Sequence, residues 1–194
     1  RRSATSSVVA VPRGHQGRLL ALLVARGGTA TTDEVADLLW PAEVGVSPNR
    51  VHQVVHRLRR TLEPSGRRSV VVDGGVVRLD LSVVGSDVAD LRAARPGHAA
   101  AACGALDRYG SDLCAAQFAY EDAFDDDRRA LRTRAVELGA ALLADDGVRD
   151  QAVVESVRGL WRRTGDDRLR AVLEDAFVRA GRADEARLLT DAGT

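Results

Sequence analysis

The stretch NRVHQVVHRLRRTL, residues 49–62, decides how this chain is read. Set on a helix at 100° per residue, Val51, Val54, Val55, Leu58 and Leu62 fall within one narrow arc, which is the core side. Asn49, Gln53, His56 and Arg60 lie diametrically opposite, with Arg57 on one flank and His52 and Arg59 nearer the other. Amide, imidazole and guanidinium groups are the side chains that read base edges, and Arg together with a helix N-terminus can hold phosphates. A helix that merely faces solvent usually mixes acids and bases in i,i+4 pairs. Here there are six Arg between Arg50 and Arg68 against one acid, Glu63, which comes at the helix end. Such a basic segment is a phosphate-facing surface by composition. The candidate DNA-binding residues are therefore Asn49, Arg50, His52, Gln53, His56, Arg57, Arg59, Arg60, Arg67 and Arg68.

Upstream, Ser6 to Val11 reads as a short β-branched strand ended by Pro12. From Gly14 the pattern turns helical, with Leu19, Leu20, Leu22, Leu23 and Val24 on a broad apolar face, until Gly27 and Gly28 stop it. Thr31 followed by Glu34 is a capping box that starts a second, shorter helix. Val35, Leu38 and Leu39 give that helix its buried side, and Trp40-Pro41 ends it. An eight-residue loop, Pro41 to Pro48, leads to the third helix. Downstream, SVVVDGGVVRLDL (69–81) sets two β-branched runs around Asp73-Gly74-Gly75, a strong hairpin signal because Gly tolerates the positive φ of a tight turn. Three helices followed by a hairpin predict a winged helix-turn-helix over residues 1–82.

After Leu81 the strand pattern gives way to Ala, Leu and Arg at helical spacing. Helices are expected over Val88 to Ala94, His98 to Tyr109, about Tyr120 to Leu143, Gln151 to Arg163, Asp167 to Ala180 and Ala183 to Leu189. The ending LRAVLEDAFVRAGRADEARLLTDAG (169–193) has the helix, Gly turn and Ala-x-x-Ala grammar of a tetratricopeptide-type pair, with Ala176, Ala180 and Ala186 as its small residues. The expected fold is mainly α, with an all-helical, tetratricopeptide-like domain over 83–194 behind the winged helix. Charge divides the same way. Residues 1–82 carry 12 Arg against 7 acids, a net of +5, and residues 83–194 carry 16 Arg against 21 acids, a net of −5.

GRLLALLVARGGTATTDEVADLLWP (17–41), VHQVVHRLRRTL (51–62) and VVVDGGVVRLDL (70–81) together resemble the winged-helix domain of the antibiotic regulatory protein (SARP) activators, which is of the OmpR type. The Leu-Arg-Arg near the end of the third helix and the Gly-Gly-x-x-Arg-Leu hairpin are the better markers. ALDRYGSDLCAAQFAYEDAFDDDRRALRTRAVELGAALLA (105–144) with the C-terminal pair is similar to the bacterial transcriptional activator domain that follows in that family. The resemblance implies a regulator that binds promoter repeats and recruits RNA polymerase. It places Asn49, Gln53, His56, Arg57 and Arg60 in the major groove and brings the wing to the adjacent backbone. It makes the Pro41–Pro48 loop a polymerase contact and the helical domain the seat of a homodimer. Asp73 stands where members often carry a basic residue, and Val77 where a Tyr is common.

Other chemistries find little purchase. Apolar residues at 45% and charged residues at 29% describe a globular chain. The longest apolar run, Leu19 to Ala25, is far short of the ~20 residues of a membrane span, and no secretory signal is recognisable, so a cytoplasmic location is expected. The chain lacks an initiating Met, which suggests a fragment or the end of a longer polypeptide. Cys103 and Cys114 are expected as reduced, buried thiols. His52 and His56 share the i,i+4 spacing of a zinc hydrolase helix, but Gln53 cannot serve as general base and no third ligand motif follows. Asp125-Asp126-Asp127 lacks the spacing of a calcium loop. No enzyme activity, metal or cofactor is expected. The competing expectation is an interaction module without DNA binding, at the C-terminal end of a larger protein, a membrane-associated one included; Asp73 in the wing, the shortened N-terminal sheet and the missing start motivate it.

Overall fold

The computed structural model describes residues 12–63, 68–109, 122–144 and 149–191. The expected strand Ser6–Val11, the candidate Arg67, Cys114 and the expected helix start at Tyr120 lie outside them. Among the described residues the fold is mainly α with one small antiparallel sheet. The backbone divides into two units, Arg1–Ala89 with Leu113–Asp127, and Asp90–Asp112 with Arg128–Thr194. Among the described residues, no helix is long and apolar enough to cross a membrane.

The described part of the first unit begins with helix α1, Gly14–Ala25, whose Leu19, Leu20, Ala21, Leu22 and Leu23 are all buried. It stops because Gly27 and Gly28 take positive φ of 75° and 96°, and the Gly28 N–H turns back to the Leu23 carbonyl at 2.7 Å. Strand β1, Thr29–Thr31, follows. Its polar-apolar-polar Thr-Ala-Thr buries only the middle residue, Ala30, the alternation of a half-buried strand. Thr31 then caps helix α2, Thr32–Leu39, through the expected capping box. The Thr31 hydroxyl accepts from Glu34 N–H at 3.1 Å, and Glu34 Oε2 accepts from Thr31 N–H at 2.7 Å. The Thr31 N–H, and after it the Thr31 hydroxyl, which donates to the same Oε2 at 2.9 Å, hold the Glu34 carboxyl below the ordinary glutamate range against the opposing effect of burial, with Arg26 adding attraction.

Helix α3, Pro48–Leu62, packs on both α1 and α2. Strands β2, Val70–Asp73, and β3, Val76–Leu79, form the hairpin, and the sheet order is β1-β3-β2, antiparallel throughout. Thr29 to Thr31 pair with Arg78 to Val76, so the third strand lies along the far edge of the hairpin.

Helix α4 spans Asp87–Ala93. Helices α5, Ala99–Arg108, α6, Asp125–Ala144, α7, Gln151–Thr164, α8, Asp167–Arg179, and α9, Ala183–Asp191, complete the described chain, with a 3₁₀ turn, Asp122–Phe124, before α6. In the second unit α5 packs on α7, α7 on α8, and α8 on α9. Leu138, Leu143, Leu160, Leu169, Leu173 and Phe177 are fully buried there. Each such side chain contributes about 1.5–3 kcal/mol of transfer free energy, so the core rather than helix propensity stabilises these helices. Asp150 and Asp166 cap α7 and α8 through their Oδ1 atoms, each at 2.9 Å from a first-turn amide, and Gly165 ends α7 in the left-handed region at φ 62°. Ala176 and Ala186 are buried, as a close α8–α9 pair requires, whereas Ala180 is the exposed C-cap of α8.

Candidate nucleic-acid interface

Helix α3 begins at a Ser47 N-cap, whose hydroxyl accepts from Asn49 N–H at 3.3 Å, with Pro48 at the first helical position, where its missing N–H costs nothing. Val51, Val54, Val55 and Leu58 are buried to within a few per cent. Rotation of the helix is thereby fixed, and Asn49, His52, Gln53, His56, Arg57 and Arg60 are all exposed. None of these six side chains makes a hydrogen bond or ion pair among the described residues. Their donors and acceptors therefore face solvent unspent, on a helix containing no acid. Arg68, just before β2, is exposed as well.

Two of the arginines named from sequence are engaged within the protein. Arg59 Nε donates to the Val70 carbonyl at 2.6 Å, so its side chain turns toward strand β2. Arg50 pairs with Glu43, and its guanidinium carbon sits 4.5 Å from the centre of the Trp40 ring. The same ring meets His15 in a T-shaped contact, with the ring centres 5.1 Å apart. This cluster fastens the loop after α2 to the first turn of α3. At the tip of that loop Val44 is fully exposed, and Gly45 takes a φ of 71°.

Glu63, the lone acid of the basic segment, is also occupied. As the C-cap of α3 it turns its Oε1 to accept from Ser69 N–H at 2.5 Å, Val70 N–H at 3.0 Å and the Ser69 hydroxyl at 3.1 Å. Burial pushes this carboxyl up, but the Ser69 and Val70 amides, the Ser69 hydroxyl and the charge of Arg59 together hold it below the ordinary range. Glu63 is thus a charged acceptor built into the fold, and it does not dilute the positive face of α3. The two inward roles had a faint trace in the sequence. Arg59 follows Val55 by four positions and precedes Glu63 by four, so it borders the apolar arc and shares a helix edge with that acid.

Among the described residues no group of three or more His, Cys, Asp and Glu could hold a metal ion. His52 and His56 stand in solvent. Cys103 is a buried free thiol, pushed up by burial, the direction that makes a thiol less reactive. No model of a protein family, no curated protein and no solved structure matches this chain.

Proposed function

We propose that this chain is a sequence-specific DNA-binding transcription regulator whose first unit works as a winged helix-turn-helix with α3 as the recognition helix. The observation that carries the reading is the outer face of α3, where Asn49, Gln53, His56, Arg57 and Arg60 are exposed and unspent while the helix holds no acid. Such a face offers bidentate amide and guanidinium groups to base edges and positive charge to phosphates. Arg57, Arg60 and Arg68 supply the phosphate contacts, and Asn49, Gln53 and His56 the base contacts. The second unit is read as a tetratricopeptide-like activator domain; the tight Gly181 turn between α8 and α9 and the small buried Ala176 and Ala186 support that reading. Following the resemblance, the protein activates transcription from repeated half-sites, touches RNA polymerase through the loop that presents Val44, and pairs with a second copy through its helical unit.

A second reading has its own support. Val178 and Leu188, both in the second unit, are 61% and 66% exposed, and large apolar side chains left in water mark protein contacts when they form a patch. On that reading the chain is an interaction module and α3 is only a basic surface.

Selection of bound sequences from a random duplex DNA library, using the chain as it is, separates the two. Enrichment of a repeated half-site is expected, with steeply salt-dependent affinity. Arg60→Ala then lowers the salt slope by about 0.9, the value of one phosphate contact. No enrichment, with weak binding lost at modest salt, would overturn the first reading in favour of the second.

A further inference from the structure

Helices α2 and α3 are linked by a loop, yet both are also bonded to the same hairpin, at its opposite ends. At the turn, the N–H of Thr32, the first residue of α2, donates to the Gly75 carbonyl at 2.8 Å. At the base, Arg59 and Glu63, one turn apart on α3, take the two polar groups of a single residue: Arg59 binds the Val70 carbonyl and Glu63 its amide. Ser69 closes the base from inside. It is 1% exposed, gives its amide and hydroxyl to Glu63, and accepts from Asp80 N–H at 2.7 Å, which ties in the end of β3.

The hairpin also has little free length. Thr31 of β1 pairs with Val76, the first residue after the turn, so only the turn itself passes the end of the third strand. The residue offered there is Asp73, an exposed carboxylate of the wrong sign for a phosphate backbone.

We propose that the hairpin Val70–Leu79 is an internal brace, fixing α3 against α2, with Arg59 and Glu63 as its positioning residues, and that its turn is not a DNA-contacting wing. Its effect on affinity rests on the DNA-binding reading; the brace itself does not. Arg59 then raises affinity by holding the outer face of α3 in place, with no phosphate of its own.

Two measurements on the full chain test this. The first needs no DNA: amide hydrogen exchange of Arg59→Ala. Protection is expected to fall at Val70 and also at Thr32, at the far end of the hairpin, by about tenfold each, the scale of one charged hydrogen bond. Loss at Val70 with Thr32 unchanged overturns the brace, whatever the DNA result. The second is DNA affinity against salt, on a selected site. Arg59→Ala is expected to weaken binding about tenfold with an unchanged slope, whereas Arg60→Ala lowers the slope by about 0.9. Asp73→Asn is expected to alter affinity less than twofold. A lowered slope in Arg59→Ala, or severalfold tighter binding by Asp73→Asn, places the hairpin at the phosphates and refutes the proposal. If no site is ever selected, the DNA reading fails and the exchange experiment alone decides the brace. Should Arg59→Ala not fold, Arg59→Lys, which keeps the charge with a less rigid donor, is compared at the same two amides.

Discussion

Gly28 is a position where the geometry of the first unit leaves no room for a side chain, and Gly28→Ala is expected to damage it out of proportion to the one carbon added. A Cβ at this position would lie 2.7 Å from the carbonyl oxygen of Leu79, a backbone atom that cannot swing aside. The residue also has a φ of 96°, which L-residues rarely adopt, and its own N–H and C=O are both bonded at 2.7 Å, to Leu23 and Leu79. Relief by moving the backbone therefore breaks the joint between α1 and β3. Left-handed strain costs about 1–2 kcal/mol for a residue with a Cβ, and overpacking typically another 1–3 kcal/mol, giving a loss of about 2–5 kcal/mol. For a unit of this size that is a substantial share of a stability of roughly 5–15 kcal/mol.

Urea unfolding followed by tryptophan fluorescence measures it, provided the units are read separately. Trp161→Phe leaves Trp40 as reporter of the first unit and avoids treating two units as one transition. Gly14→Ala is the control, because Gly14 shares a positive φ of 63° but has nothing within 4 Å of an added Cβ. It should cost about 1 kcal/mol. The reasoning is refuted if Gly28→Ala and Gly14→Ala lose the same stability, since the contact with Leu79 would then carry no weight.

Other outcomes follow from single contacts. Thr31→Ala removes the hydroxyl half of the capping box, leaving the backbone N–H to Glu34, and should cost about 1 kcal/mol by the same Trp40 assay, with Thr31→Ser restoring most of it. Glu185 accepts from Arg182 at 2.6 and 2.8 Å and from Arg158 at 3.1 Å; the Arg182 bonds, ahead of the opposing effect of burial, hold its carboxyl below the ordinary range. Its folded value lies under its unfolded one, so its contribution is present above about pH 4.3 and lost as pH falls further through the folded value. Acid titration of Trp161 fluorescence in Trp40→Phe should show that decline, and Glu185→Gln should flatten it. Gly139→Ala presses a Cβ to 3.1 Å from Leu169 Cδ2 and 3.5 Å from Val157 Cγ1, both in the core, and should destabilise by about 1 kcal/mol despite the better helix former. Gly159→Ala meets only the guanidinium end of Arg163, at 3.1 Å, whose bond to the Leu106 carbonyl at 2.9 Å offsets the gain in helix propensity, so it should be nearly neutral; thermal melting of the two variants checks both.

Most of the helical organisation could be read from the chain because its signals are local. The capping box at Thr31 and Glu34, the stop at Gly27-Gly28 and the hairpin turn at Gly74-Gly75 are each set within a few residues. The helix ends expected at Ala94, Tyr109 and Ala180 fall one residue earlier in the structure, the ordinary scatter of frayed termini. Strand β1 escaped because three residues are too short for a periodicity and its partner is distant; only Leu79 N–H reaching Gly28 and the pairing with β3 create it. The outward set on α3 was legible for the same reason that its core set was. One period assigns both faces, and the burial of Val51, Val54, Val55 and Leu58 leaves the opposite residues nowhere but solvent.

What periodicity cannot resolve is the edge between the two faces, where a long side chain chooses its direction from non-local partners. Arg59 and Arg60 are neighbours of identical chemistry, and charge counting treats them alike. The Val70 carbonyl draws one into the fold, while the other is left in water. Arg50 is drawn in similarly by Glu43 and Trp40, both from outside the helix. Four arginines lie within the described helix, Arg50, Arg57, Arg59 and Arg60, and only Arg57 and Arg60 keep their guanidinium groups free of described partners. On the proposed DNA-binding reading, at about 0.9 per phosphate, α3 would supply a salt slope near −2 rather than near −4. The sequence overstates the reach of its basic segment by the side chains that the fold has turned to building itself.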